Sequence, residues 1–296
     1  MARVSTTGGW SHSTDAGFRA WVAEFINMLT GAGLVRTSDT GQVNEASVNR
    51  PSTNAWAGYA IFRFNDALQA TAPIYLRIQF GTGSSGAYPG ISIQMGTGTN
   101  GAGTLTGLVT QEHIIRATSL PGTATDYPSR AVHTTGFAAV SFKIGGLSNT
   151  SHAGLGFIVQ RTVNSSGSPT AEGAMLIGPP AGTGSATSHG QMHRLVFSTA
   201  LAPDPISTEW LGRAHGALAD SRVGLSPQAF HHWIALPKIK PLIGSIGFLR
   251  GEVPLLAEAS LAMVGTTPRN YLCLGQHFGN VLSAVGNSDV AILWED

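Results

Sequence analysis

The feature that most constrains this chain is an alternation of apolar and polar side chains with a period of two residues. In segment 73–81 the apolar positions are Ile74, Leu76, Ile78 and Phe80, and the positions between them are Tyr75, Arg77 and Gln79. Because successive side chains of a β-strand point to opposite faces, this pattern predicts a strand with one buried face. Similar patterns predict further strands at 57–64, 90–96, 108–116, 137–144, 155–161, 174–177, 194–198, 230–236, 241–249, 255–263, 271–275 and 290–294.

Stretches rich in Gly, Ser, Thr and Pro separate these segments, and helical segments do not alternate with them. This arrangement predicts a mainly β chain, folded as an antiparallel β-sandwich or jelly-roll-like domain. Two segments echo each other, RIQFGTGSSG at 77–86 and SIQMGTGTNG at 92–101. We interpret them as a hairpin pair with similar turn chemistry, since a solenoid needs at least three stacked units.

One N-terminal segment has helical periodicity instead. Its apolar residues recur every three or four positions, which predicts an amphipathic α-helix over about 15–30. They are Phe18, Trp21, Val22, Phe25, Ile26 and Leu29. Ser13, Thr14 or Asp15 caps its start, and Gly31 suits its end. The apolar stripe must dock on the main body or on a neighbouring subunit.

A polar linker at 36–55 follows the helix. The sequence therefore predicts two parts, an N-terminal helical arm and linker at 1–54 and a β-sandwich domain with long Gly/Ser/Thr-rich loops at 55–296.

Charged residues are sparse, since Asp, Glu, Lys and Arg make up 11% of the chain and the net charge is +1. Ordinary soluble domains have about 25%. The chain has no basic run for nucleic acid and no apolar run near the roughly 18–20 residues that span a membrane. The N-terminus has no apolar signal core. A surface with so little charge is poorly protected against association, which favours a chain covered by its neighbours.

Tests for catalytic and cofactor motifs give no supported site. Two G-x-G-x-x-G matches, at 81–86 and 96–101, are not followed by the helix that a dinucleotide site requires. Asp39-Thr40-Gly41 resembles the loop of an aspartic protease, which needs a second carboxylate, so a polar turn is preferred. Cys273 is the one cysteine and sits among apolar neighbours. We predict no enzyme and no cofactor, and leave open an axial histidine metal site in an oligomer.

Segment 55–103 resembles virion structural proteins of tailed bacteriophages. The resemblance rests on an aromatic-rich strand, the Asn65-Asp66 turn with Leu68, a Pro-Ile-Tyr-Leu strand and Gly-Thr-Gly connections. Segment 156–177, GFIVQRTVNSSGSPTAEGAMLI, has a similar pattern of a strand, an Asn-Ser-Ser-Gly turn and a return strand, and the ending DVAILWED is also similar. It implies a homo-oligomeric component of the tail, baseplate or adsorption apparatus, and it carries over no catalytic residue.

We therefore expect a non-enzymatic virion subunit, made in the bacterial host cytoplasm, that associates with other virion proteins and with itself as a trimer or hexamer. The expected assembly contacts through the arm are Trp10, Phe18, Trp21 and Phe25. The alternative is a module that binds a receptor or a host surface glycan through an exposed loop with Tyr88, Tyr127 and His189. A glycosidase or esterase on a β scaffold is the third hypothesis.

Overall fold

The computed structural model describes residues 2–6, 13–83, 89–108, 112–116, 129–148, 151–163, 168–178, 191–195, 205–206, 228–231, 246–250, 258–261, 269–275 and 288–293. Within these ranges the chain is mainly β, with antiparallel strand pairs and one helix, α1 (Asp15–Gly31). The mainly β prediction with an N-terminal helix is thereby confirmed, whereas the sandwich or jelly-roll type stays a prediction.

The strands form three sheets. In chain order they are β1 (Ala2–Thr6), β2 (Val35–Arg36), β3 (Trp56–Arg63), β4 (Tyr75–Thr82), β5 (Pro89–Thr99), β6 (Leu105–Leu108), β7 (His113–Arg116), β8 (Ser129–Thr134), β9 (Phe137–Ser148), β10 (Ser151–Val163), β11 (Pro169–Gly178), β12 (Gln191–Leu195), β13 (Pro205–Ile206), β14 (Gln228–His231), β15 (Ile246–Arg250), β16 (Glu258–Leu261), β17 (Arg269–Gly275) and β18 (Ser288–Leu293). The seven-stranded sheet has the order β1-β8-β9-β10-β11-β12-β13, and the five-stranded sheet has the order β14-β15-β18-β17-β16.

The six-stranded sheet has the order β2-β3-β4-β5-β6, and β7 also pairs with β5. Strands β6 and β7 both pair with the same edge of β5, one after the other along its length. Gly96–Thr99 of β5 pair with β6, and Gly90–Ile93 pair with β7. The two echo segments lie on β4 and β5, which are antiparallel neighbours with Arg77 opposite Gln94. The hairpin interpretation is therefore confirmed.

Helix α1 begins and ends with recognisable caps. The Thr14 hydroxyl accepts a hydrogen bond from the Gly17 amide at 3.0 Å, which satisfies one of the free donors of the first turn. At the other end the Leu34 amide donates to the Leu29 carbonyl, and the Gly33 amide donates to the Thr30 carbonyl. This is a Schellman motif, and its left-handed residue is Gly33 with φ +100° rather than Gly31.

The apolar stripe of α1 packs on the six-stranded sheet of its own chain. Trp21 and Phe25 place their rings 5.7 and 5.6 Å from the ring of Phe80 on β4, both in edge-on geometry. The same cluster takes in Ala138 and Val140 of the seven-stranded sheet, so α1 and two sheets share one core.

The expectation that the helix aromatics form an assembly contact is therefore wrong. Phe18, Trp21 and Phe25 are completely buried inside the chain, because the alternating strands supply the apolar face that the stripe needs. Trp10 lies outside the described residues.

The segment expected as an arm is also integrated into the main body. Strand β1 pairs with β8, the Arg19 side chain donates to the Val48 carbonyl at 2.8 Å, and the Arg50 amide donates to the Asp15 carboxylate at 2.9 Å. The core consequently crosses the boundary expected at residue 54.

Candidate functional site

The face of the six-stranded sheet that points away from α1 carries polar side chains on β3, β4 and β5, and we call it the polar face. Its central row runs across four strands in register: Tyr59 opposite Gln79, Gln79 opposite Ser92, and Ser92 opposite Ile114. These are the positions that alternate with the buried apolar residues, so the strand pattern itself assembles the row.

Arg77 is the central cation of the polar face. Its Nε donates to the Gly103 carbonyl at 2.8 Å, and its guanidinium carbon lies 4.9 Å from the centre of the Tyr59 ring. Burial lowers the pKa of Arg77, while the negative charge of Glu112 acts in the opposite direction. Arginine remains charged at neutral pH, so Arg77 acts here as a fixed donor and cation.

Asp39 is buried beside this face, and both oxygens of its carboxylate accept hydrogen bonds. One carboxylate oxygen accepts from the Thr37 hydroxyl at 2.7 Å, and the other accepts from the Thr99 hydroxyl and the Gly103 amide. Burial raises its pKa, but these hydrogen bonds outweigh burial and lower the pKa overall. Such a carboxylate stays ionised and tethers loop 37–42 to loop 99–104.

The protease interpretation of Asp39-Thr40-Gly41 consequently has no support. Both oxygens of Asp39 are engaged in holding loops, and a shared-proton dyad needs a partner carboxylate with a raised pKa. The polar-turn interpretation agrees with the structure, since Thr40 donates its amide to Gly101 at 2.9 Å and accepts from the Tyr59 hydroxyl at 2.5 Å.

On the polar face, Ser92 contacts the exposed carboxylate of Glu112. The Ser92 oxygen lies 2.6 Å from Glu112 Oε1 and 2.9 Å from Gln79 Oε1. A hydroxyl has one hydrogen, so it donates to one of the two at a time. No histidine among the described residues is hydrogen-bonded to Ser92.

A second polar group is buried between two sheets. Arg161 on β10 donates to both oxygens of Asp66, at 2.5 and 3.0 Å, and the two side chains are 0% and 1% exposed. Phe64 lies beside them, with its ring centre 6.0 Å from the Arg161 guanidinium carbon and 5.4 Å from the His133 ring.

His133 is buried and its Nε2 has no hydrogen-bond partner among the described residues. Burial lowers its pKa, and the nearby Asp66 charge opposes that effect. The imidazole is therefore neutral at pH 7. The whole group is closed to solvent, so its role is to join β10 and β8 to the turn after β3.

Sequence reasoning missed these polar groups, although one signal was present. Phe157, Val159 and Arg161 alternate along β10, so Arg161 shares a face with Val159, which is completely buried. A cation on an apolar strand face predicts a buried acidic partner.

The expected recognition residues Tyr88, Tyr127 and His189 lie outside the described residues. Within the ranges that the structure describes, no group of three His, Cys, Asp or Glu side chains is arranged to hold a metal ion. No helix there is long and apolar enough to cross a bilayer. The axial histidine site and the glycan-binding loop therefore stay predictions.

Three glycines of the two G-x-G-x-x-G matches, Gly81, Gly96 and Gly98, have packing roles. Gly81 lies in β4, and Gly96 and Gly98 lie in β5. A Cβ at Gly81 would lie 2.2 Å from the Ala55 carbonyl oxygen, so the glycine permits a close backbone approach.

Comparison with family models, with curated proteins and with solved structures found no match to this chain.

Proposed function

We propose that this chain is a non-enzymatic structural subunit of a tailed-phage virion, in the tail, the baseplate or an adjoining assembly, and that it associates with copies of itself through sheet surfaces. The observation that carries the proposal is a contrast on the six-stranded sheet. Its polar groups hold loops and strands of the same chain, whereas two large apolar side chains at its edge are left exposed.

The exposed residues are Leu108 on β6, at 52%, and Ile114 on β7, at 49%. Both sit on the polar face, since Leu108 pairs with Gly96 and Ile114 pairs with Ser92. The sparse charge of the chain, 11%, gives such a surface little protection against association. A subunit covered by neighbours in a particle has no need of that protection.

The test is incorporation into particles. Virions purified from a lysate that contains the chain, banded by density and analysed by quantitative mass spectrometry, should hold it at a fixed copy number above one per particle. A non-structural protein of the same lysate is the control, and it should be lost during banding. A chain that is lost together with this control would refute the proposal.

A nonsense mutation in its gene provides the second arm. Particles from this mutant should lack the chain and should be incomplete when viewed by electron microscopy, with normal particles restored by complementation. Normal and infectious particles without the chain would contradict a structural role.

A further inference from the structure

We propose that strand β7 pairs antiparallel with β7 of a second copy of this chain, across a twofold axis at Ile114, so that two six-stranded sheets become one continuous sheet. The inference rests on the proposed function, because it names the partner and the contact through which the subunit associates.

The first observation is that β7 is an edge in the part of the chain that the structure describes. It pairs with β5 on one side, and no described strand pairs with it on the other. The side chains of Glu112 and Ile114 are exposed, so no described residue covers them. Edge strands carry unpaired backbone donors and acceptors and are natural sites for pairing with another chain.

The second observation is that this edge lacks two of the usual protections, lysine and proline. Natural edges are commonly blocked by charged side chains, especially lysine, or by proline, and the charged residues of segment 105–116, LTGLVTQEHIIR, are Glu112 and Arg116. Ile114 on β7 is exposed, and so is Leu108 on β6, which pairs with the same side of β5.

The third observation is self-complementarity, and it selects a second copy as the occupant. Residues 112, 114 and 116 alternate along the chain and therefore share one face of the sheet. In an antiparallel pairing centred on Ile114, Glu112 stands opposite Arg116 of the second copy, and Ile114 stands opposite its own equivalent. A twofold axis repeats the Glu–Arg pair, so each contact is made twice. Cross-strand neighbours of this kind lie about 4.5–5.5 Å apart at Cβ, within reach of an ion pair and an apolar contact.

The register of the polar face extends across the proposed axis. Tyr59, Gln79, Ser92 and Ile114 already form one row across four strands, and the second copy continues the row in reverse order from Ile114.

The experiment is sedimentation equilibrium of the purified full chain over a range of concentrations. The wild type should form dimers, or even-numbered oligomers built from them. Arg116→Glu places Glu112 of each copy opposite an acidic residue of the other copy. The two repulsive pairs should raise the dimer dissociation constant about tenfold or more. The double variant Glu112→Arg/Arg116→Glu reverses both charges and should return the dissociation constant to near the wild-type value.

Ser92→Ala is the matched control, because it removes the bond to Glu112 inside the chain and leaves the edge charges unchanged. It should dimerise like the wild type. A wild type that stays monomeric at its solubility limit, or a double variant that dimerises no better than Arg116→Glu, would overturn the inference.

A cross-link provides a readout that does not depend on affinity. In a Cys273→Ser background, Ile114→Cys should form an intermolecular disulfide on mild oxidation, since the two thiols face each other across the axis. Thr106→Cys, exposed on β6, is the control and should cross-link slowly. Equal rates at the two positions would overturn the twofold pairing.

The two proposals fail separately. A chain incorporated into particles that does not pair through β7 retains the virion role and loses this contact. A chain that pairs through β7 but is lost on banding retains the contact and loses the virion role.

Discussion

The carboxylate of Asp66 is held by two nitrogens of Arg161, from a position 95 residues away in the sequence. Asp66 belongs to the turn that connects β3 and β4, and Arg161 lies on β10, so this ion pair joins the six-stranded sheet to the seven-stranded sheet. Both side chains are removed from water, which makes each charge dependent on the other.

Loss of one partner of this pair should be severe. Asp66→Asn leaves the Arg161 charge buried without its counter-ion and should lower the free energy of unfolding by about 3–5 kcal/mol. Chemical denaturation monitored by circular dichroism measures the change.

The control for Asp66→Asn is a variant of a partly exposed ion pair in the same chain. Arg36 and Glu45 pair with side chains 25% and 26% exposed, so Glu45→Gln should cost less than about 1 kcal/mol. Equal costs for the two variants would show that the Asp66–Arg161 pair is not what joins the sheets.

Trp21→Ala should unfold the chain rather than loosen an assembly. Trp21 is completely buried and its ring packs edge-on against Phe80, so its removal leaves a cavity and should cost about 3–5 kcal/mol. Asn27→Ala, on the exposed side of α1, should stay within about 0.5 kcal/mol of the wild type. A Trp21→Ala variant with wild-type stability and an altered oligomeric state would restore the arm hypothesis.

Alanine substitutions at two glycines of one loop should distinguish the cost of backbone strain from the cost of steric overlap. Gly101 and Gly103 both have left-handed φ angles, +75° and +91°. A Cβ at Gly101 meets nothing within 4 Å, whereas a Cβ at Gly103 would lie 2.1 Å from the Tyr59 hydroxyl oxygen. Gly101→Ala should cost about 1–2 kcal/mol, the penalty of the conformation alone.

Gly103→Ala should cost clearly more than Gly101→Ala, because it also displaces Tyr59 from Arg77. Parallel thermal melts of the two variants test this difference. Matching melting temperatures would mean that Tyr59 moves aside without loss.

Stability should fall with acid because of His133. Burial lowers the pKa of His133 below its ordinary value near 6.5. Between these two pKa values, His133 is protonated in the unfolded chain and neutral in the folded chain. The unfolding free energy should therefore be unaffected by this group above that value, and should decrease as the pH falls from about 6.5 toward the lowered pKa.

His133→Leu isolates this effect from the other histidines. The difference in stability between wild type and variant should vary with pH in that window and be constant above it. A difference that is constant down to pH 5 would mean that His133 does not titrate in the manner its burial implies.

The local features of the fold could be predicted from the sequence because their causes are local. A three- and four-residue spacing with Thr14 at its start defines α1, and the alternation from Ile74 to Phe80 defines β4. The alternation also identifies which face of β4 is buried, and the structure places those side chains in the core.

The partners of these elements could not be predicted, because they depend on residues far apart in the chain. The helix stripe is equally suited to its own sheet and to a neighbour's, and only the position of Phe80 decides between them. Strand β8 falls partly in a stretch expected as a turn, and β1 carries too few alternating residues to be recognised. The segment Asp39-Thr40-Gly41 resembles a catalytic loop in sequence, and only the structure shows that distant Thr99 and Gly103 donate to one oxygen of Asp39.

The pairing of Asp66 with Arg161 also sets an order of events during synthesis. At about 5–20 residues per second, Arg161 leaves the ribosome roughly 5–20 s after Asp66. Helix α1 and strands β2 to β7 are complete earlier, so that part of the core can close while the turn at Asp66 is still hydrated. In the nascent chain the Asp66 carboxylate therefore has no buried counter-ion until β10 is synthesised. The ion pair between the two sheets forms only after Arg161 has left the ribosome.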